Sequence, residues 1–332
     1  MRILKSLPAG FALLLVGVSG ALRAQSPSSS PSSAGVSPTP SSAPPLNRTV
    51  RLIAIGRKGE PVTGLKPEDL RLFVNKQYRK ILSVSSTASL PKTIGIFIGG
   101  YGPGPLPDKA IAAIQGLLNS VWQDQDMGFV VSFSDKIYKD VPSTSDLTQI
   151  ENALPKILAL NLERQSYLLS HWPAMPHAWY EAVSSARLSP KEARSTEKVY
   201  VVLSGFYSYD SAKSGINAVL SQQARIFPLR VVPPNPQGGA ECVYASDPNA
   251  GGPCYLGLWK TEHTAKNIAK ETGGDAFSLE RKRDIIRAQT WLTNELRSTY
   301  IVTYETLPQS VSAGKIDILC KLSNVRLLYA KE

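Results

Sequence analysis

Residues 93–98 read TIGIFI, residues 127–133 read MGFVVSF and residues 198–203 read KVYVVL. Each is a short, nearly continuous apolar run, whereas a strand with one wet face would alternate. Strands of this kind are buried on both faces, which requires helices above and below the sheet. The intervening stretches supply those helices. Between the first two runs, Ala110, Ile111, Ile114, Leu117, Leu118 and Val121 recur at helical spacing, so Asp108–Trp122 reads as an amphipathic helix. Further helices are expected at 146–158, 174–188, 212–223, 260–271 and 281–297, and further strands at 136–141, 225–231 and 275–278. Alternation of strand and helix on this scale predicts an α/β fold, Rossmann-like, with a mostly parallel central sheet flanked by helices.

Outward from this middle, both ends turn to β patterns. Strands are expected at 50–55, 70–74 and 81–84, with Arg57-Lys58-Gly59-Glu60 as a turn, and at 300–304, 315–322 and 325–329. The N-terminal group alone is too small to bury a core. The two ends are therefore expected to pair into one small β-sandwich, 46–90 plus 299–332, around an α/β domain at 91–298.

Ahead of the folded part, Arg2 and Lys5 precede an apolar run from Ala9 to Leu22, and small residues Ser19, Gly20, Ala21 and Ala24 lead to a polar stretch. Residues 1–24 thus read as a secretory signal peptide, with an uncleaved anchor as the alternative. Residues 25–45, QSPSSSPSSAGVSPTPSSAPP, offer nothing large and apolar to bury and read as a disordered linker. No second apolar run reaches spanning length, so the mature chain is expected to be secreted or periplasmic, without a membrane span.

The formal charge of +11 falls to +8 when Arg2, Lys5 and Arg23 leave with the leader. That balance favours anionic partners such as acidic cell-envelope polymers. The basic residues are scattered, with short clusters such as Arg281-Lys282-Arg283, and no RNA-binding signature accompanies them, which argues against nucleic acid. Of three cysteines, Cys242 and Cys254 bracket a loop rich in Gly, Pro, Asn and Asp. A disulfide is the natural reading in an exported chain, worth about 2–3 kcal/mol, with a metal pair as the rival. Cys320 lies in the alternating run Ile316, Ile318, Cys320, Leu322 and is expected as a free thiol on the apolar face of a strand.

Four stretches carry a resemblance. They are GRKGEPVTGLKPEDLRLFVNKQYRKI (56–81), AWYEAVSSA (178–186), IAKETGGDAF (268–277) and LRSTYIVTYETLP (296–308). Together, and in this order, they resemble the exported proteins of the acidobacterial type that contain a von Willebrand factor A-like domain. The resemblance implies that fold and, at the carboxyl ends of the central strands, a metal-ion-dependent adhesion site built from a D-x-S-x-S motif, a threonine and a further aspartate. Hard cations need such oxygen donors. Aligned on the resemblance, the aspartate falls on Gly99, the serines on Tyr101 and Pro103, and the threonine on His177, while VYVVL runs into Ser204-Gly205-Phe206 where the last aspartate would stand. No carboxylate remains at any of these positions, so the metal site is read as degenerate, with no metal and no cofactor.

On the same alignment, Tyr101, His177, Phe206, Tyr207 and Tyr209 would gather aromatic side chains along that edge. Gly99, Tyr101, Pro103, His177, Ser204, Phe206 and Tyr207 are accordingly the candidate face for a protein or an anionic envelope polymer, and the chain reads as a binding or scaffold protein rather than an enzyme. The alternative is a hydrolase that uses Ser204 and His177. Against it, the chain lacks G-x-S-x-G, and Gly99–Gly104 lacks the lysine and serine of a phosphate cradle while Pro103 and Pro105 remove backbone donors.

Overall fold

The computed structural model describes residues 46–99, 106–134, 136–170, 179–186, 197–204, 212–231, 255–279, 281–306 and 315–330. The expected signal peptide, the linker and the Cys242–Cys254 pair lie outside these residues. These residues belong to one compact unit. Its elements are β1 (Leu46–Gly56), β2 (Leu70–Val74), β3 (Gln77–Arg79), β4 (Ile81–Ser86), β5 (Lys92–Ile98), α1 (Leu106–Val121), β6 (Met127–Phe133), β7 (Ile137–Thr144) and α2 (Leu147–Ser170). They continue as α3 (Trp179–Ser185), β8 (Glu197–Ser204), α4 (Ala212–Ser221), β9 (Ala224–Val231), α5 (Tyr255–Thr272), β10 (Phe277–Leu279), α6 (Lys282–Arg297), β11 (Thr299–Thr306), β12 (Ile316–Cys320) and β13 (Val325–Tyr329).

The three apolar runs pair as neighbours in a six-stranded sheet of order β10-β9-β8-β5-β6-β7. All its pairings are parallel except β6–β7. β5, β8 and β9 are buried along their whole length, which is why their sequences do not alternate. Successive side chains still point to opposite faces. Ile94, Ile96, Ile98, Val199, Val201 and Leu203 meet α1, α2 and α6, whereas Phe97, Tyr200, Val202 and Ile226 meet α3, α4 and α5. This is an α/β sandwich with helices on both faces. β7 differs from the buried strand expected at 136–141. It is an antiparallel edge strand with mostly half-exposed residues, and the Asp140 carboxylate accepts a hydrogen bond from the Ser132 amide at 2.8 Å.

The β-rich ends form two further sheets, β13-β1-β11-β4 and β12-β2-β3, with an apolar core between them that includes Leu52, Leu72, Tyr300 and Ile318. β1 alternates between two cores. Val50, Leu52 and Ala54 face this small core, whereas Ile53 and Ile55 belong to the core of the α/β sandwich. Burying side chains of this size contributes about 1.5–3 kcal/mol each. The turn after β1 is tied down as well. Gly59 (φ +84°) lies so close to Trp291 that a Cβ would fall 2.5 Å from the indole, and Asn294 Nδ2 donates to the Gly59 carbonyl at 2.9 Å.

Charged residues line the amino ends of the central strands. Arg51 of β1 donates to the Gln223 carbonyl at 2.8 Å, and Arg225 Nε lies 3.4 Å from Glu197 Oε1, both side chains being buried. Farther along, Arg326 of β13 contacts Asp275 at 2.6 Å and Glu295 at 3.6 Å and lies over the Trp291 ring. The oxygens of Glu197 and Glu295 and the terminal nitrogens of Arg225 make no protein hydrogen bonds. Burial, reinforced by the negative charge of Asp275, pushes the Glu295 carboxyl well above the usual carboxylate range, against the opposing pull of Arg326 and Arg225.

A carboxyl whose value is raised on folding stabilises the protein at low pH, and that stability is lost as pH rises through the folded value. Burial raises Asp126 in the same sense. The lowered values of Lys92 and Lys198 act only at alkaline pH, and those of Glu262 and Asp284 act only below the ordinary carboxylate range. Between pH 8 and 5 the melting temperature should therefore rise. Glu295→Gln should raise it at pH 8 and remove most of the slope, as differential scanning calorimetry will show. A profile that falls toward pH 5 would contradict this.

Candidate functional site

A parallel sheet gathers the carboxyl ends of its strands along one edge, and the crevice there lies where the strand order reverses. From β5 the chain moves to β6 on one side and later returns through β8 on the other. The strand order therefore reverses between Gly99, just past β5, and Ser204, the last residue of β8. The Gly99 amide donates to the Leu203 carbonyl at 2.8 Å, which locks the two strand ends together. Of the expected face, the structure describes Gly99 and Ser204 and brings them together. Tyr101, Pro103, His177, Phe206 and Tyr207, like Tyr209, lie outside the described residues.

Gly99 is closely surrounded. A Cβ on it would lie 2.3 Å from Cζ of Phe133, a buried ring at the end of β6. A side chain of any kind, an aspartate included, would have to displace that ring. The carbonyls of Gly99 and Ile98 are also engaged, accepting hydrogen bonds from Asn161 Nδ2 at 3.0 and 3.4 Å. Asn161 is fully buried, and its Oδ1 accepts no hydrogen bond from the protein. It reaches this place because α2 runs on to Ser170, well beyond the expected end at Leu158, despite Pro155 within it. Asp146 starts the helix, its Oδ1 accepting from the Thr148 and Gln149 amides.

Ser204 is buried at 6% exposure and pairs with Arg230 of β9, which in turn pairs with Ser278 of β10. Arg230 is nearly fully buried. Its Nε donates to Ser278 Oγ at 3.1 Å, and its Nη2 lies 3.9 Å from Glu262 Oε2. Glu262 is held below the ordinary carboxylate range, first by its hydrogen bond from Lys266. The edge thus carries a guanidinium two strands from β5, roughly 10 Å away.

Among the described residues of this edge, nothing fits a divalent cation of the adhesion-site type. Gly99 has no oxygen-bearing side chain, Phe133 fills the space one would need, and the nearby carbonyls are committed to Asn161. A buried arginine on the same edge adds repulsion to any bound cation. No group of three or more His, Cys, Asp or Glu with metal-binding geometry occurs among the described residues. Asp126, just before β6, serves the opposite edge. Both of its oxygens accept backbone hydrogen bonds, from Lys92 at 2.7 Å and Gln123 at 3.0 Å. Sequence reasoning missed Asn161 and Arg230. Asn161 lay past a proline that reads as a helix stop. Arg230 could have been noticed as one of two arginines, with Arg225, in an otherwise apolar and buried strand.

The sequence matches no known family profile and no characterised protein. Among solved structures, the chain is similar to the conserved hypothetical protein BatB from Bacteroides thetaiotaomicron, at 18% identity over 62% of this chain and 98% of that one, with a TM-score of 0.40. It is also similar to a von Willebrand factor type A protein from Catenulispora acidiphila, at 10% identity over 87% and 73%, TM-score 0.40. A third likeness is to proximal thread matrix protein 1 from the mussel byssus, in a form whose MIDAS motif holds zinc, at 12% identity over 66% and 48%, TM-score 0.42. Likenesses this distant add nothing to what the topology itself shows.

The contact at Gly99 can be tested. Gly99→Ala should destabilise the protein by about 1–3 kcal/mol in urea unfolding, because Phe133 is packed and cannot simply swing away. In a Phe133→Leu background the same change should cost much less. Equal costs in both backgrounds would show that the ring does not hold the place.

Proposed function

We propose that this chain is an exported, metal-independent binding or scaffold protein with a von Willebrand factor A-like domain and a degenerate metal-ion-dependent adhesion site. Its partner is a protein or an anionic cell-envelope polymer, met at the carboxyl edge of the central sheet. The observation that carries the reading is the strand reversal itself, where Gly99 and Ser204 stand side by side, neither bearing a carboxylate, and Phe133 fills the place of a ligand side chain. In sequence, Tyr101, Pro103, Phe206 and Tyr207 follow these strand ends directly, and His177 precedes α3, so the face would carry aromatic groups of the kind that anchor protein contacts. Export is supported by the leader-like residues 1–24. Among the described residues, no helix is long and apolar enough to cross a membrane. The domain division, with 46–90 and 299–332 as a β module and 91–298 as the α/β domain, belongs to this proposal, as does the Cys242–Cys254 disulfide.

A hydrolase built on Ser204 and His177 gains nothing from the geometry. Ser204 is buried, and none of the described residues stands beside it as a general base.

Two measurements test the reading. Millimolar Mg²⁺ or Mn²⁺ should leave the melting temperature unchanged, since a ligand that binds the native state raises it. A rise of several degrees would overturn metal independence. Alanine at Tyr101, Phe206 and Tyr207 together should weaken retention of envelope components by at least tenfold, scored by quantitative pull-down, while leaving the melt intact. Undiminished retention would place the binding face elsewhere.

A further inference from the structure

Among the described residues, β13 is the outermost strand of its sheet, paired with β1 alone. Its other side borders a groove of about 480 Å³, and all five residues from Val325 to Tyr329 line it. Side chains of a strand alternate between faces, so five consecutive lining residues mean that the groove runs along the backbone edge. There, every second residue presents an N–H and a C=O that β1 does not use.

The opposite wall is one stripe of α5, with Lys266, Ala269 and Lys270 at helical spacing, and Ile318 and Cys320 of β12 complete an apolar floor. One end is closed. Gly273 (φ +78°) sits so near Tyr329 and Ala330 that a Cβ would fall 2.6 Å from the Ala330 nitrogen. The charge of the groove is positive. Asp275, the acid in its lining, is held by Arg326 at 2.6 Å, whereas Lys270 is exposed and Lys266 makes an exposed pair with Glu262 on its own helix. Such an exposed pair is worth only a few tenths of a kcal/mol and yields easily to another carboxylate.

We infer that this groove takes an extended, acidic peptide segment of a partner protein, which adds to β13 as a further strand. Backbone hydrogen bonds to β13 supply the affinity. Alternate apolar side chains enter the groove beside Leu327 and Ile318, and the acidic ones meet Lys266 and Lys270. β13 covers about 17 Å, enough for four or five residues of such a peptide. This surface is separate from the carboxyl-edge face and does not depend on it.

The test is selection from a displayed library of eight-residue peptides against the full chain, followed by fluorescence anisotropy on the winners. The expected winners alternate apolar residues with Asp or Glu. Their affinity should drop at least tenfold for the Lys266→Glu/Lys270→Glu variant, whose exposed positions lower the melt by only a few degrees, while Glu→Lys forms of the peptides should gain on that variant. N-methylation at the residues that face β13 should abolish binding, and at the alternate residues it should not. Winners without acidic residues, insensitivity to N-methylation, an unchanged affinity on the charge-reversed variant or no selectable binder would each overturn the inference. So would sedimentation showing that β13 is already occupied by a second copy of the chain.

Discussion

Strand β1 has to serve two cores, because its odd and even residues face different bodies and neither body is complete without it. Val50, Leu52 and Ala54 close the small β core, and Ile53 and Ile55 close the α/β core beneath α6. A shift of one residue would exchange the two sets, placing isoleucines where an alanine now fits and leaving the α/β core short. The pairing of β1 with β11 fixes its position along eight residues. β11 in turn begins directly after α6, so the register of one strand sets the seat of the whole β-rich part on the sheet.

From that seat follows a division of labour between the two edges of the central sheet. The amino edge is covered, and its charges are structural. Arg51, Glu197, Arg225, Glu295, Asp275 and Arg326 belong to strand starts, helix ends and β strands that meet there. The buried members, Glu197, Arg225 and Glu295, are costly to dehydrate and specify one arrangement better than they stabilise it. The carboxyl edge is the one to which the proposed partner face is assigned. There the polar groups differ in kind: an amide of Asn161 that straps two carbonyls, a serine and a buried arginine, with Phe133 against Gly99.

Much of this architecture was legible in the sequence, and the reasons are local. β2, β6 and β13 lie where alternation or continuous apolar character placed them, because those strands are patterned by a core directly beneath them. β3 was not seen, being three polar residues after a two-residue turn. Its signal was present in Asn75-Lys76, both with positive φ as a tight hairpin requires. α2 outran its proline, and Asn161 was hidden with the extension. The buried ions were the least legible. Glu197, Arg225 and Glu295 look like ordinary surface charges in one dimension, and only the covering of the amino edge by β1 and β13 makes them internal. At the carboxyl edge, the glycine at position 99 was readable in the sequence, whereas the ring that closes the space above it lies 34 residues away in the chain and becomes its neighbour only through the β5–β6 pairing.

The claim that bears the most weight is that the carboxyl edge works without a cation. Crystals of the full chain soaked in MnCl₂ and measured at the manganese edge address it directly. The account predicts no anomalous peak beside Gly99 and Ser204, with the Phe133 ring in place against the glycine. An ordered, octahedrally coordinated ion at that position, with the ring displaced, would contradict it.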